Sequence, residues 1–209
     1  MPIGPLVRKS FGRHEHLVAH LYRSLFLNLR DYAAKIVDWA PDATRILEVG
    51  CGEGAVTEIL ANAYPVAEIL AIDITPRVGR LYRGRRDGVE FREISVQDIA
   101  AEQPGRFDLI TLSDVVHHIP REMRAEIFSA ISRCLAPGGR FVLKDWGRAL
   151  TPIHWLCHAG DRWLTGDRVA YLTPREAMEL VTTSQPNLHA VAQGRVRPWS
   201  NNYALTFQC

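Results

Sequence analysis

The chain has 209 residues, 47% of them hydrophobic and 23% charged, with a net charge of +2 and four cysteines. That length and apolar content suit one domain with a sizeable core, and so small a charge supplies no field that points to nucleic acid by itself. No apolar run approaches the roughly 20 residues of a membrane span, and Cys51, Cys134, Cys157 and Cys209 show neither a C-x-x-C pair nor a secretory leader ahead of them, which predicts a reduced, cytoplasmic enzyme without a transmembrane segment.

In chain order, Leu17, Leu21, Leu25, Phe26 and Leu29 recur at helical spacing, followed by Tyr32, Ile36 and Trp39 before Pro41. One or two leading helices are predicted. Short apolar segments then alternate with helical ones. Arg45–Val49, Glu68–Ile72, Val89–Ile94, Phe107–Leu112 and Arg140–Lys144 read as strands, and Val56–Ala63, Pro76–Arg83 and Arg121–Leu135 as helices. Such alternation predicts an α/β fold of parallel strands joined by right-handed crossovers, because a tight turn cannot close a parallel pair.

The last third departs from that rhythm. Thr151–Leu164 carries Trp155, Leu156 and Trp163 with His154 and His158, and Thr173-Pro174-Arg175-Glu176 has the cap, proline and acid of a helix start. His189–Val196 and Tyr203–Gln208 then predict an antiparallel hairpin at the sheet edge.

Three segments carry binding chemistry. Gly50, Gly52 and Gly54 follow the first strand, where lack of a Cβ lets backbone approach a ligand and the next helix offers free N–H groups. Their spacing fits neither G-x-G-x-x-G nor a phosphate loop. Asp73 closes the second strand, where a carboxylate can hold a ribose diol or cap a helix opening at Thr75-Pro76. In Ser95-Val96-Gln97-Asp98, Asp98 can accept from a purine amine or cap a short helix over Ile99–Glu102.

"ILEVGCGEG", "AID" at 71–73, "SVQD", "FDLITLSDVVHHI" at 107–119 and "LAPGGRFVLKD" at 135–145, in this order, resemble the motif series of class I S-adenosylmethionine-dependent methyltransferases. The resemblance covers about residues 43–146. It implies a Rossmann-like, mostly parallel seven-stranded sheet in the order 3-2-1-4-5-7-6 with strand 7 antiparallel, helices on both faces and leading helices as a lid. It implies a single domain: a lid over 1–42, a cofactor-binding core over 43–146, and a substrate wall with the closing hairpin over 147–209. The implied cofactor is S-adenosylmethionine, with S-adenosylhomocysteine as product. Carried over position by position, Glu48, Gly50, Cys51, Gly52 and Gly54 hold the methionine part, Asp73 the ribose, and Ile74 one adenine face. Asp98 with Ile99 then meets the adenine amine side, and Ser113 lies beside the methionine moiety.

Since the sulfonium already activates the methyl group, proximity and orientation carry most of an in-line transfer, and a histidine base is an addition. His117 and His118 border the implied acceptor pocket, and either a catalytic or a structural role suits them; His117 is preferred as the base. Trp146, His154 and Tyr171 are candidates for binding the acceptor. His154 and His158 share a helical face, yet no carboxylate or cysteine stands at ligand spacing, so no metal is expected. "GDRVAY", Gly166 to Tyr171, brings Asp167 and Arg168 near Tyr171, or forms a turn with an internal ion pair. His14, His16 and His20 show no metal pattern, and "RLYRGRR" reads as a solvated helix end. No Asn/Asp-Pro-Pro-Tyr-like stretch follows the fourth strand, where "SDVV" stands. The expected partner is therefore a small organic acceptor rather than nucleic acid. The alternatives are an RNA or protein methyltransferase and a non-catalytic S-adenosylmethionine-binding protein, and the oligomeric state is not predicted.

Overall fold

A computed structural model describes residues 27–76, 78–160 and 169–209. Helix α1 (Leu29–Trp39) starts at Asn28, whose side chain accepts from the Asp31 amide, and leads into β1 (Arg45–Val49), α2 (Ala55–Ala63) and β2 (Glu68–Asp73). β3 (Val89–Glu93), α3 (Val96–Glu102) and β4 (Phe107–Ser113) follow, then a 3₁₀ turn at Val116–His118 and α4 (Arg121–Cys134). The chain closes with β5 (Leu135–Trp146), α5 (Pro152–Gly160), α6 (Pro174–Ser184), β6 (His189–Arg195) and β7 (Asn202–Gln208).

The seven strands lie in the order β3-β2-β1-β4-β5-β7-β6. All neighbouring pairs are parallel except those of β7 with β5 and β6. The sheet matches the expected one, including the antiparallel edge hairpin.

Alternation along the strands divides the core in two. Leu47, Leu70, Ile110, Phe141, Leu143 and Leu205 face α3, α4 and α6, where Ile99, Phe128, Ile131 and Val181 meet them. Their neighbours Ile46, Ile69, Leu109, Val142 and Ala204 face the other way, against Tyr32 and Ile36 of α1 and Leu60 of α2. Each fully buried aliphatic side chain contributes about 1.5–3 kcal/mol relative to exposure. Asp108 accepts from the Thr44 amide and hydroxyl and the Arg45 amide, which ties the entry of β1 to β4.

Two elements differ from expectation. The segment Pro76–Arg83, read as a helix, forms turns in its described residues. The Gly79 amide donates to Gly52 O at 2.8 Å and the Leu81 amide to Glu53 O at 3.0 Å, so these donors serve the glycine turn instead of a helix. Strand β5 starts five residues early, with a register irregularity between Phe107 and Leu109 of β4. Residues 17–26, Trp163, Asp167 and Arg168, and the three early histidines, lie outside the described residues.

Candidate active site

The carboxyl ends of β1, β2, β4 and β5 open onto one side of the sheet. The Gly50 and Cys51 amides both donate to Ile72 O, at 2.8 and 3.0 Å, which folds the turn back over β2. The Gly52 amide donates to Asp73 Oδ2 at 2.8 Å, while Asp73 Oδ1 accepts from the Thr75 amide and hydroxyl at 2.9 and 2.7 Å. Asp73 therefore braces the glycine turn, and no helix opens at Thr75 for it to cap. Gly50 and Gly52 have φ of +74° and +50°, a region that costs other residues strain. A Cβ on Gly50 would overlap the Val115 side chain, whereas one on Gly52 would meet nothing within 4 Å. The second position opens into empty space.

That space consists of two joined cavities. The larger, about 590 Å³, is lined by Asp73, Ile74, Thr75, Val96, Gln97 and Val115 among others. The second, about 500 Å³, is bounded by Glu48, Ser113, His117, Lys144, Trp146 and Cys157 among others. Gly50, Gly52, Asp114 and His118 belong to both. The first suits a nucleoside, since its lining combines the Asp73 carboxylate and the Thr75 hydroxyl with apolar side chains. The second places polar groups opposite an apolar wall.

Glu48 shares the sheet face of Ile46 and lies buried beneath α2, with Oε2 lacking a hydrogen-bond partner among the described residues. Burial pushes its carboxyl up to about 7; Thr57 offsets part of this and the negative charge of Asp73 adds to it. An orphaned acid beside the open glycine turn fits the cationic amino group of the methionine tail, so these residues fit the implied cofactor. Because the folded form holds the Glu48 proton more tightly than the unfolded chain, this group's contribution to stability is complete below about pH 4.5 and is lost as pH rises through about 7. The difference amounts to about 3 kcal/mol. Glu48→Gln should therefore raise the melting temperature of the ligand-free protein at pH 8 and have little effect at pH 4.5, by thermal denaturation. The ligand's ammonium favours the ionised acid, so binding of S-adenosylhomocysteine near pH 6 should release a proton in wild type but not in Glu48→Gln. Calorimetry in two buffers of different ionisation enthalpy reads that proton directly.

At the acceptor end, His117 is buried and its Nδ1 contacts Asp145 Oδ1. The His117 amide donates to Asp145 Oδ2 at 3.1 Å and the Trp146 amide to Oδ1 at 2.8 Å. Three donors converge on one buried carboxylate, whose role as acceptor places the ring proton on Nδ1. Tyr171 stacks on the His117 ring with centroids 5.1 Å apart, and His118 lies 4.1 Å away on its other contact. Buried Arg124 donates to Ile119 O and Ala170 O, at 3.0 and 2.9 Å, clamping the histidine turn to the segment before α6. Tyr32 OH and Ser113 Oγ are 2.7 Å apart, fixing the end of β4 from α1.

Several sequence-predicted positions sit elsewhere than expected. Asp98 does not line either cavity: Ser95 caps α3, its hydroxyl donates to Asp98 Oδ2 at 2.6 Å, and Asp98 is exposed. Ile99 is fully enclosed in the core. Val96 and Gln97 take the lining positions in their place, because α3 starts three residues earlier than expected. His154 and Tyr171 stand one layer behind the wall: His154 Nδ1 accepts from Trp146 Nε1 at 3.0 Å, so it orients the tryptophan that faces the cavity. Trp155 and Leu156 are exposed instead of lining the pocket. Cys51 and Ile74 are both in the lining. Missed altogether were Asp145, Lys144 and Asp114; two charges ending an otherwise apolar strand in "FVLKD" were the available signal.

Given these contacts, Asp73→Ala should weaken S-adenosylhomocysteine binding by about 1–3 kcal/mol. Unchanged affinity in calorimetry would remove Asp73 from the ligand's grip.

Residues 47–141 match the family model of a methyltransferase domain. The ubiquinone biosynthesis O-methyltransferase of Xanthomonas campestris pv. campestris (strain B100) is 32% identical over 188 residues, covering 84% of this chain and 75% of that protein. The enzyme of the same name from Xylella fastidiosa (strain M23) is 31% identical over 188 residues, covering 84% and 73%. Among solved structures, the Burkholderia thailandensis 1,6-didemethyltoxoflavin-N1-methyltransferase, with bound 1,6-didemethyltoxoflavin and S-adenosylhomocysteine, superposes with a TM-score of 0.70 at 18% identity, covering 98% of this chain and 87% of that one. The N-methyltransferase NodS of Bradyrhizobium japonicum WM9, in complex with S-adenosylhomocysteine, gives 0.60 at 20% identity, covering 86% of each. With the strand order, the glycine turn and these relatives in agreement, the chain belongs to the class I S-adenosylmethionine-dependent methyltransferases.

Proposed function

We propose that this enzyme methylates a hydroxyl group of a small, largely apolar organic molecule, with His117 accepting the hydroxyl proton. S-adenosylmethionine, when bound, supplies a methyl group already activated by its positive sulfur. What remains for the chain is to orient the acceptor, exclude water and take one proton. The observation that carries the reading is the His117–Asp145 pair at the wall of the second cavity. With the ring proton held on Nδ1, Nε2 keeps its lone pair, and the carboxylate stabilises the charge the ring gains on taking the proton. Asp145 is a positioning residue, since it reaches the acceptor only through His117.

The apolar wall supports the acceptor class. Leu27 and Leu29 from the leading segment, Val56 from α2, Trp146 at the end of β5 and Cys157 from α5 supply apolar lining beside the polar groups. Leu27, Leu29 and Cys157 bring the segments on either side of 43–146 to this cavity, which supports a share in the acceptor site for 1–42 and 147–209 beside the core residues Val56 and Trp146. The two relatives above 30% identity are named O-methyltransferases, which favours oxygen over nitrogen or carbon. No helix among the described residues is long and apolar enough to cross a membrane, and the four free thiols suit a reducing cytoplasm.

Incubation with S-adenosylmethionine carrying a radiolabelled methyl group, against pools of hydroxylated aromatic metabolites, RNA and cell protein, tests the proposal. Label is expected in the metabolite pool. Label in RNA or protein would favour the macromolecular alternative and reject this one.

A further inference from the structure

The reaction as derived so far leaves one buried charge unused. Lys144 lies on β5, its side chain only 2% exposed, and it lines the acceptor cavity beside His117. Its Nζ meets both oxygens of Asp114, each at 2.7 Å. An ammonium has three donors, and no other group among the described residues takes the one left over. Asp114 is the one non-glycine residue with positive φ, +57°, among those described, and its amide donates to Lys144 O at 2.8 Å. The backbone is thus held in an unfavourable conformation that sets the carboxylate against the ammonium.

A pair of this kind stabilises a fold no better than well-packed apolar side chains, and β5 is apolar from Phe141 to Leu143 before this position. Packing alone does not account for it. The electrostatics of the cavity do. Among its described lining residues, Glu48, Glu53 and Asp114 are acids and Lys144 is the single permanent cation. Behind the wall stands the Asp145 carboxylate. An acceptor oxygen that loses its proton here gains negative charge among carboxylates, and of the charges fixed in the described lining before that transfer only the Lys144 ammonium opposes them.

We propose that the Lys144 ammonium, aimed by Asp114, is a catalytic residue that holds the acceptor oxygen as an anion when His117 removes its proton. This rests on the hydroxyl-acceptor reading above. The acceptor's O–H bond breaks, the proton goes to Nε2 of His117, and the electron pair stays on the oxygen, facing the spare N–H of Lys144. A charge-assisted bond formed only as negative charge develops favours the reacting state over the resting one.

The test uses 4-nitrophenol, whose anion absorbs in the visible, added to the full chain saturated with S-adenosylhomocysteine at a pH where the free phenol is mostly protonated. Wild type should bind it as the coloured phenolate. Lys144→Met leaves Asp114 unpaired and can unfold, so the Asp114→Asn/Lys144→Met double variant is measured beside it; asparagine tolerates the left-handed backbone. The double variant should keep its melting transition and lose about tenfold or more in phenolate affinity, a loss larger than any change in its S-adenosylhomocysteine affinity. Lys144→Arg should retain part of it. Phenolate binding in the double variant equal to wild type would overturn the role of Lys144, as would failure of wild type to bind the phenolate or loss of binding on adding a metal chelator. Methyl transfer to hydroxyls in the radiolabelled pools is scored separately. Its absence sinks the underlying reading, while phenolate retained alongside it sinks this one alone.

Discussion

Replacing His117 by glutamine should lower turnover by about 10²–10⁴-fold while leaving S-adenosylhomocysteine affinity within about twofold of wild type. Glutamine can still donate to Asp145, so the buried carboxylate keeps a partner and the fold keeps its turn at Val116–His118. What disappears is a lone pair able to take a proton at the cavity wall. Asp145→Asn should reproduce much of the loss by a different route, because an amide can present a donor to Nδ1 and move the ring proton to Nε2. The asparagine must also accommodate the His117 and Trp146 amides, so a smaller drop in melting temperature accompanies it. If His117→Gln keeps its turnover, the ring is structural and transfer proceeds through orientation alone.

The second large effect belongs to the glycine turn. Gly50→Ala combines a strained backbone at φ +74° with a methyl group that collides with Val115, the residue from which the histidine turn starts. The left-handed conformation alone costs about 1–2 kcal/mol, and the displaced side chain adds to it. A fall in melting temperature of about 4–8 °C is expected for a chain of this size, together with loss of cofactor binding. Gly52→Ala is the informative companion. Its Cβ meets nothing within 4 Å, so the ligand-free protein should lose only the strain of the backbone, yet the methyl group occupies space the ligand requires. Binding should therefore collapse in both variants, with the greater loss of stability at Gly50. Equal destabilisation, or undiminished binding in Gly52→Ala, would contradict the assignment of this space to the cofactor.

The strands were legible because a strand covered on both faces is apolar at successive positions. Ile46 and Leu47, or Leu109 and Ile110, point into opposite cores, and unbroken apolar runs are how such strands read. The capping box at Thr173 and Glu176 was equally plain, with both its hydrogen bonds formed. The turn at 76–83 was not, since its amides pair with Gly52 and Glu53, more than twenty positions upstream, and no local pattern encodes that capture. The reach of α3 was misjudged for a local reason: Ser95 and Asp98 both suit a cap, and Ser95 takes it, which pulls the helix start forward and carries Ile99 into the core.

On the candidate site, residues announced by backbone demands were visible, and residues defined by partners were not. Three glycines in a row of alternate positions signal a turn by themselves. Asp145 acquires meaning only from His117, 28 positions away, and His154 only from the tryptophan it orients. Lys144 and Asp114 stand 30 apart and meet because β4 and β5 run side by side.

The most direct test follows the methyl group itself. Wild type and His117→Gln are each incubated with S-adenosylmethionine bearing a deuterated methyl group and a set of simple phenols, and the product's labelled atom is located by NMR. The account predicts label on the phenolic oxygen with wild type, and its near disappearance with a variant that still binds S-adenosylhomocysteine. Label on nitrogen or carbon, or equal labelling by the two proteins, would contradict it.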